Sequence, residues 1–442
     1  MHLLWENTMK NLISLWTGDF KGLDVGSGTY QFEKQVWDAI GDATAASGST
    51  IPSCYTSARP PNVASNRSAT TADSWSFWTL FLGPVLLRRR FTHQKYYEHF
   101  VDLVVLLHIC LQFTITAGDV VRLREGFALW VEKFEELYYQ YDPSRLSTCP
   151  VTVHALLHIA DTIEACGPVW AYWEFPMERY CGLIRPAIKS RKHPYASLDR
   201  FVIESAQILQ IQLIYNLQDP SISLHPRKNE ITMRSGLSNP AYPTCTLLTP
   251  RRTVESSSPL IAKITKTLAT RFDAHRQFAA LRCCIAEAFI EEWGRVAIDE
   301  GDVLYTASTV NGTPGEDRRD ATYVRYHIMV DKFAHLRNVE PVYIPQTQYG
   351  HLQHVVAIHL QRCPTLGIEE PEVVFLAGVT TCEIEATHGL LDIQYYSHES
   401  KTEEFMDLSC VQCLVARVKD IGRRWAILDR SGSLSRPNFV DT

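Results

Sequence analysis

Near Trp293 the hydrophobic rhythm of the chain changes, and no single kind of secondary structure can satisfy both sides of that change. Before it, apolar residues recur every three to four positions, the repeat of a helix with one buried face. After it come short β-branched and aromatic runs: ATYVRYHIMV, VEPVYIP, HVVAIHL, EVVFLAGVT, DIQYY, CLVARV and RWAILD. Turn-forming residues separate them, as in VNGTPGED and RSGS. Alternating runs bounded by such turns predict an antiparallel sheet or small barrel of about six or seven strands. The fold class is therefore α+β. A mainly helical N-terminal half is followed by a linker, and the linker by a small antiparallel β-domain.

The helical half divides into roughly 2–16, 32–46, 72–88, 94–113, 117–139, 151–165, 170–190 and 196–217. Thr71 to Asp73 and Ser197 with Asp199 supply start signals. DVGSGTY and SARPPNVASNRSATT break the pattern. Between about 219 and 258 proline, serine and threonine accumulate, which predicts a mobile linker between a domain at 1–218 and one at 259–434. The segment HRQFAALRCCIAEAFIEEWGRV opens the second domain as a helix, with Cys283 and Cys284 in its core. At the other end the helical pattern starts at Met1 without an N-cap, a beginning shared by natural domains and truncated ones.

Composition narrows the class. The 442 residues are 45% hydrophobic and 21% charged, ordinary for a folded chain and too apolar for general disorder. A net charge of −6 excludes a chain-wide nucleic-acid footprint, so such a site must be a local patch. The twelve cysteines are scattered, as buried thiols in a reducing compartment would be. Cys410 and Cys413 form a C-x-x-C in strand context and read as buried thiols. No signal-peptide pattern opens the chain, and the longest apolar run, VVLLHICLQF, is about half of a membrane span. These features predict a soluble intracellular protein with no membrane partner.

One stretch concentrates chemistry. Between His154 and Tyr180 a carboxylate, Glu178, stands among Trp170, Tyr172, Trp173, Phe175 and Tyr180. An acid beside Arg179 on a helix is most often a solvated surface residue, and tryptophans at helical spacing are most often core. Three features weigh the other way. His154 and His158 lie one helical turn apart and can grip one metal, and Cys149 stands just before them as a weaker third donor. From Arg179 to Arg200 there are six cations (Arg179, Arg185, Lys189, Arg191, Lys192 and Arg200) against one acid, Asp199. A carboxylate next to a polycationic strip suggests metal-assisted phosphoryl chemistry on nucleic acid. Two metals about 3.5–4 Å apart need clustered acids, and one Glu is not enough. Asp19, Asp24, Asp161 and Glu164 have no spacing that specifies such a cluster.

The run HALLHIADTIEACGPVWAYWEFPMERYCGLIRPAIKSRKHPYASL resembles the segment that closes the catalytic core of CACTA-type DDE transposases. So, in order, do MHLLWEN, SLWTGDFKGLD, GSTIPS, TADSWSFWTLFLGPVLL, YYQYDPSRLSTCPVTVHALLHI and ASLDRFVIESAQ. The stretch from YVRYHIMVDK to VQCLVARVKDIGRRWAILDRSG resembles the tail domain of fungal relatives, so the likeness spans nearly the whole chain. It implies a ribonuclease-H-like core that uses two Asp and one Glu to bind Mg2+ or Mn2+. Glu178 takes the place of that Glu, His154 and His158 that of a paired-His zinc motif, and His2 that of the histidine in a D-x-x-H pattern.

The departures carry equal weight. With His2 as that histidine, the second Asp would fall before Met1 and the first further upstream still. The C-x-x-C pair that completes the zinc site is not found between His2 and Glu178. The resemblance thus implies a transposase remnant that does not cleave DNA, with transposon-end DNA and a second copy of itself as partners and the nucleus, or failing that the cytoplasm, as its location. Two other readings stand beside it: a non-enzymatic module that binds DNA or protein through the strip from Arg185 to Arg200, and a bundle-plus-barrel protein whose charges are simply solvated.

Overall fold

The structure, a computed structural model, describes residues 2–56, 58–67, 70–190, 192–217, 236–255, 259–298, 303–310, 319–333 and 340–430. The α+β prediction holds: a helical N-terminal half abuts an antiparallel, curled sheet.

The helical body begins with a π-helical turn, His2–Thr8, that runs into α1 (Met9–Thr17). Gly18 ends α1 in the left-handed region at φ 76°, where its N–H returns to the carbonyls of Leu15 and Ser14, a conformation a side chain would resist. Then follow α2 (Lys34–Ser47), α3 (Ala72–Phe77), α4 (Gly83–Leu86), α5 (Gln94–Cys110) and α6 (Ala117–Phe134). Thr116 and Asp119 form a reciprocal capping box at the start of α6. The next helical stretch is split into α7 (Val151–His154), a 3-10 turn and α8 (Ile159–Cys166). The core of this body is aromatic. Trp16 is fully buried, meets Phe32, Phe91 and Phe100 edge-on, and donates its indole N–H to the Tyr138 hydroxyl at 3.0 Å. His99 is also fully buried; its ring stacks on Trp130 at 4.4 Å, and each residue's side chain bonds to the other's carbonyl.

Beyond α8 the chain leaves the body. A 3-10 turn at Val169–Ala171 leads to α9 (Phe175–Ile184), and a further turn at Arg185–Ala187 leads to α10 (Pro194–Tyr215). No residue of α10 is buried.

Eleven strands are described, against the six or seven predicted. The short ones are β1 (Leu237–Ser238), β4 (Val303–Tyr305), β9 (Val411–Leu414), β10 (Ala416–Lys419) and β11 (Trp425–Leu428). The long ones are β2 (Cys245–Thr253), β3 (Phe289–Ile298), β5 (Tyr323–Asp331), β6 (Tyr343–Leu360), β7 (Glu372–Thr387) and β8 (Ile393–Asp407). The order β1-β2-β3-β6-β7-β8-β11-β10 is antiparallel throughout, with β4 added to β3, and β5 bridging β6 and β9. VEPVYIP and HVVAIHL merge into β6, because polar QTQYG between them keeps an extended backbone.

Alternation along β6 gives the sheet two apolar faces. Val355 and Ala357 point into a core with Trp293, Phe375 and Ala377. Val356 and Ile358 point to the opposite side, under α11 (Leu260–Arg271) and α12 (Phe278–Glu287), where Ile264, Leu268 and Leu281 cover them. A short helix, α13 (Ala307–Val310), lies beside β3 and β6.

The predicted linker needs correction. Residues 218–235 and 256–258 lie outside the described residues, but 237–253 carries β1 and β2, paired to each other and to β3. Its prolines and serines conceal a strand in which Cys245, Leu247 and Leu248 are buried. Pro250, which has no N–H for the ladder, falls where the β2–β3 register shifts.

The two halves also share one core. Leu391, Ile393, Tyr395, Ala416, Val418, Ala426 and Leu428 of the sheet belong to the same buried cluster as the helical body. A clasp reinforces the junction. The Arg417 N–H donates to the Thr50 carbonyl and the Thr50 hydroxyl donates back to the Arg417 carbonyl, while Tyr55 directs its hydroxyl at the carbonyls of Leu414 and Leu428. The Arg417 guanidinium lies over Tyr323 at 3.3 Å and over Trp425 at 4.7 Å, and donates to Asp320 at 2.7 Å.

Candidate functional site

The chemistry-bearing stretch divides between body and arm. Val153, Leu156, Ala160 and Ile163 face the core at helical spacing, which turns the opposite side of α7 and α8 to solvent. His154 and His158 stand on that side, exposed, with their Nε2 atoms 3.2 Å apart and their rings at 75°. Two ligands on one tetrahedral zinc, each about 2.0–2.1 Å from the metal, are about 3.3 Å apart, so the pair fits half of a zinc site.

The other predicted metal donors do not join it. Burial raises the Cys149 thiol above its ordinary value, and its sulfur lies against the Thr148 hydroxyl. His2 pairs with Glu6 within its own helical turn, although that turn packs against α7. Among the described residues no group of three or more His, Cys, Asp and Glu is placed to hold a metal.

Glu178 sits in the first turn of α9, where a carboxylate suits the helix dipole, and its side chain is exposed. Exposed Glu174 stands one turn before it as the N-cap of α9, but among the described residues no third acid, His or Cys completes a group that could hold a pair of Mg2+ or Mn2+ ions. The four acids singled out in the sequence have structural partners. Asp161 and Glu164 both accept from Arg124, at 2.9 and 2.7 Å, and Asp19 and Asp24 meet Arg67 and Arg145. The aromatic neighbours divide too. Trp170 donates to the Phe113 carbonyl at 2.9 Å, tying the base of the arm to the body, and Trp173 packs against the helical core. Tyr172 and Tyr180 are exposed.

The cations lie along the arm. Arg179 is on α9, Arg185 in the turn after it, Lys189 and Lys192 in the connection, and Arg200 in α10, all exposed. Arg191 lies outside the described residues. Arg200 bonds Glu204 one turn on, at 2.7 Å. Apolar side chains are interleaved with them: Leu183, Ile188 and Tyr195 are exposed.

One polar cluster has no counterpart in the sequence reading. Glu292 in β3 is buried and accepts from Arg252 at 2.8 Å, Ser308 at 2.7 Å and the Nδ1–H of His354 at 2.8 Å. Burial alone would raise its carboxyl, but those bonds outweigh it and hold it down at about 2. On the opposite face Glu291 repeats the pattern with Arg251 and His359. Glu292, so fully coordinated, is a poor base near neutrality, and both carboxylates tie β2, β3 and β6 together. The only sequence signal was the doublet EE inside an apolar strand. Of the C-x-x-C pair, burial raises Cys410 in the short turn before β9, and Cys413 lies within β9.

No protein-family model, curated protein or solved structure matches this chain.

Proposed function

We infer that this chain is a transposase-derived protein that contacts DNA through the α9–α10 arm and does not cut it. The observation that carries this reading is the run of cations from Arg179 to Arg200 on an arm whose side chains stand in solvent. Guanidinium and ammonium groups at such positions meet phosphate oxygens and release condensed counterions, whatever the base sequence. The exposed rings of Tyr172, Tyr180 and Tyr195 offer flat faces to unpaired bases. The non-cleaving part of the reading is supported by the absence, among the described residues, of a cluster of three or more metal-binding side chains around Glu178.

Fluorescence anisotropy with a labelled duplex tests the binding. The logarithm of affinity should fall linearly with the logarithm of salt, with a slope of about −0.9 for each phosphate neutralised. Replacing Arg185, Lys189 and Lys192 by Ala should flatten that slope by up to about 3. Binding that ignores salt, or an unchanged slope, rejects the interface. A nicking assay with Mg2+ or Mn2+ tests the rest: no cleavage is expected, and cleavage that Glu178→Gln abolishes would restore the enzyme reading. Zinc bound at the His pair would be retained on dialysis by the unaltered chain and lost by His158→Ala. Nuclear residence belongs to the same reading.

A further inference from the structure

The arm is not the only unsatisfied surface. α5 and α6, closely packed at Leu106 and Gly126, border a groove of about 690 Å3 that is also lined by Tyr141 and by Leu390 in the turn between β7 and β8. Its floor is Leu106, Gly126 and Trp130. Its rim carries three large apolar side chains that are about two-thirds exposed: Leu129 at 65%, Tyr141 at 65% and Leu390 at 64%. Isolated apolar residues on a surface need no explanation, but three around one concavity do.

The charges of the groove have one sign in excess. Asp102, Glu132 and Glu136 line it against Lys133, whose ammonium is 3.8 Å from Asp102. Burial raises the Asp102 carboxyl, Lys133 lowers it and nearby Glu98 raises it again, so the net displacement is upward. The single lysine does not compensate these acids.

The connection at the root of α10 carries the opposite set. Arg185, Lys189 and Lys192 are exposed there, with Ile188 between them and Leu183 and Tyr195 flanking them. Past Glu204, α10 carries apolar side chains on every side, interspersed with Gln207, Gln210 and Gln212, and no charged residue. A helix of that composition is ordinarily covered. Here Leu213, Ile214 and Tyr215 are 74%, 74% and 69% exposed. Both surfaces are open in one chain, and each supplies what the other lacks.

We propose that two copies of this chain exchange arms, the basic, apolar segment around α9 and α10 of each docking in the acidic groove between α5 and α6 of the other. The exchange is reciprocal, so it closes as a two-fold dimer and every contact is made twice. Cations meet carboxylates at the rim while the apolar side chains of the arm meet Leu129, Tyr141 and Leu390. The proposal is independent of DNA binding, although it draws on the same cations.

A charge swap tests it in the full-length protein. Sedimentation velocity should find the unaltered chain dimeric and increasingly dissociated as salt rises. R185E/K189E/K192E reverses the arm, and E132K/E136K reverses the groove. Each variant alone should associate about tenfold more weakly or worse. An equimolar mixture should form the heterodimer, because acidic arm then meets basic groove and basic arm meets acidic groove. Circular dichroism should stay unchanged, since all five side chains are exposed. As a second handle, Leu129→Ser should weaken association without altering any charge. A monomeric unaltered chain, a dimer that both variants leave intact, or monomeric variants that fail to pair when mixed would each overturn the proposal. DNA binding separates the two readings: E132K/E136K should lose the dimer and keep the salt-dependent DNA affinity, whereas the arm variant loses both.

Discussion

The helical body and the α9–α10 arm are built from similar residues and treat them in opposite ways. In the body Trp5, Trp16, Trp75 and Trp78 are almost wholly enclosed. In α10 leucine, isoleucine and tyrosine stand mostly in solvent. Composition and helical period do not distinguish the two regions; what differs is whether another element lies against them. A helix gains most of its stability from the face it packs, so the body is held by tertiary contacts that α10 lacks among the described residues. The arm is thus the part of the chain free to gain from a partner.

The contrast can be broken at several levels. The largest effect is expected from Trp78→Ala, which removes a ring packed against Trp37 and Trp75 and the indole N–H that donates to the Thr44 hydroxyl. It should cost about 3–5 kcal/mol in chemical denaturation. If it costs no more than an arm substitution, the body is not the stabilising unit.

Acid comes next. His99 in the body is held down to about 3 by burial, against 6.5 ordinarily, and His108 to about 4. The unfolded chain therefore takes up these protons first as pH falls. Stability should be complete above pH 6.5 and decline toward about 3, by up to roughly 1.4 kcal/mol per pH unit for each group. Denaturation midpoints measured across that range check it, and His99→Gln should flatten the slope. A pH-independent midpoint would show that neither ring is buried neutral.

Smaller still is the loss of a cap. Thr116→Ala breaks the capping box of α6 and should cost about 1 kcal/mol. His193 precedes α10 and makes no side-chain cap, so His193→Ala should cost almost nothing. At the bottom of the scale, Leu213→Ala should stay within about 0.5 kcal/mol while the chain is monomeric. A larger loss that grows with protein concentration would point instead to a covered helix, and would sharpen the exchange model.

Local pattern made much of this fold legible. The helical intervals proposed for the N-terminal half follow the observed helices closely, because a buried face imprints its period on the sequence, whereas HRQFAALRCCIAEAFIEEWGRV is helical only to Glu287 and its tail FIEEWGRV forms β3. The spacing of His154 and His158 likewise foretold two rings on one face. Burial was harder to read. In the arm, apolar residues at helical spacing suggest core, and only the absence of an opposing element among the described residues reveals otherwise. β1 and β2 were hidden because their strand character rests on Leu247 and Leu248 amid prolines and serines. The Arg–Glu–His groups on either face of β3 draw on strands a hundred residues apart in the case of Arg252 and His354, so no local window contains them. Glu178 was singled out by its neighbours in sequence; its exposure is a property of the tertiary arrangement.

The Arg417 clasp has a consequence for how the molecule comes apart. Thr50 and Tyr55 on one side, and Tyr323, Arg417 and Trp425 on the other, lock surfaces that are separated by most of the polypeptide. Severing the backbone between α10 and β1 would not release two free-standing pieces. Each fragment would bare the greasy seam that the other normally hides, and the nicked halves would remain associated until heat drove both into the coil in one step.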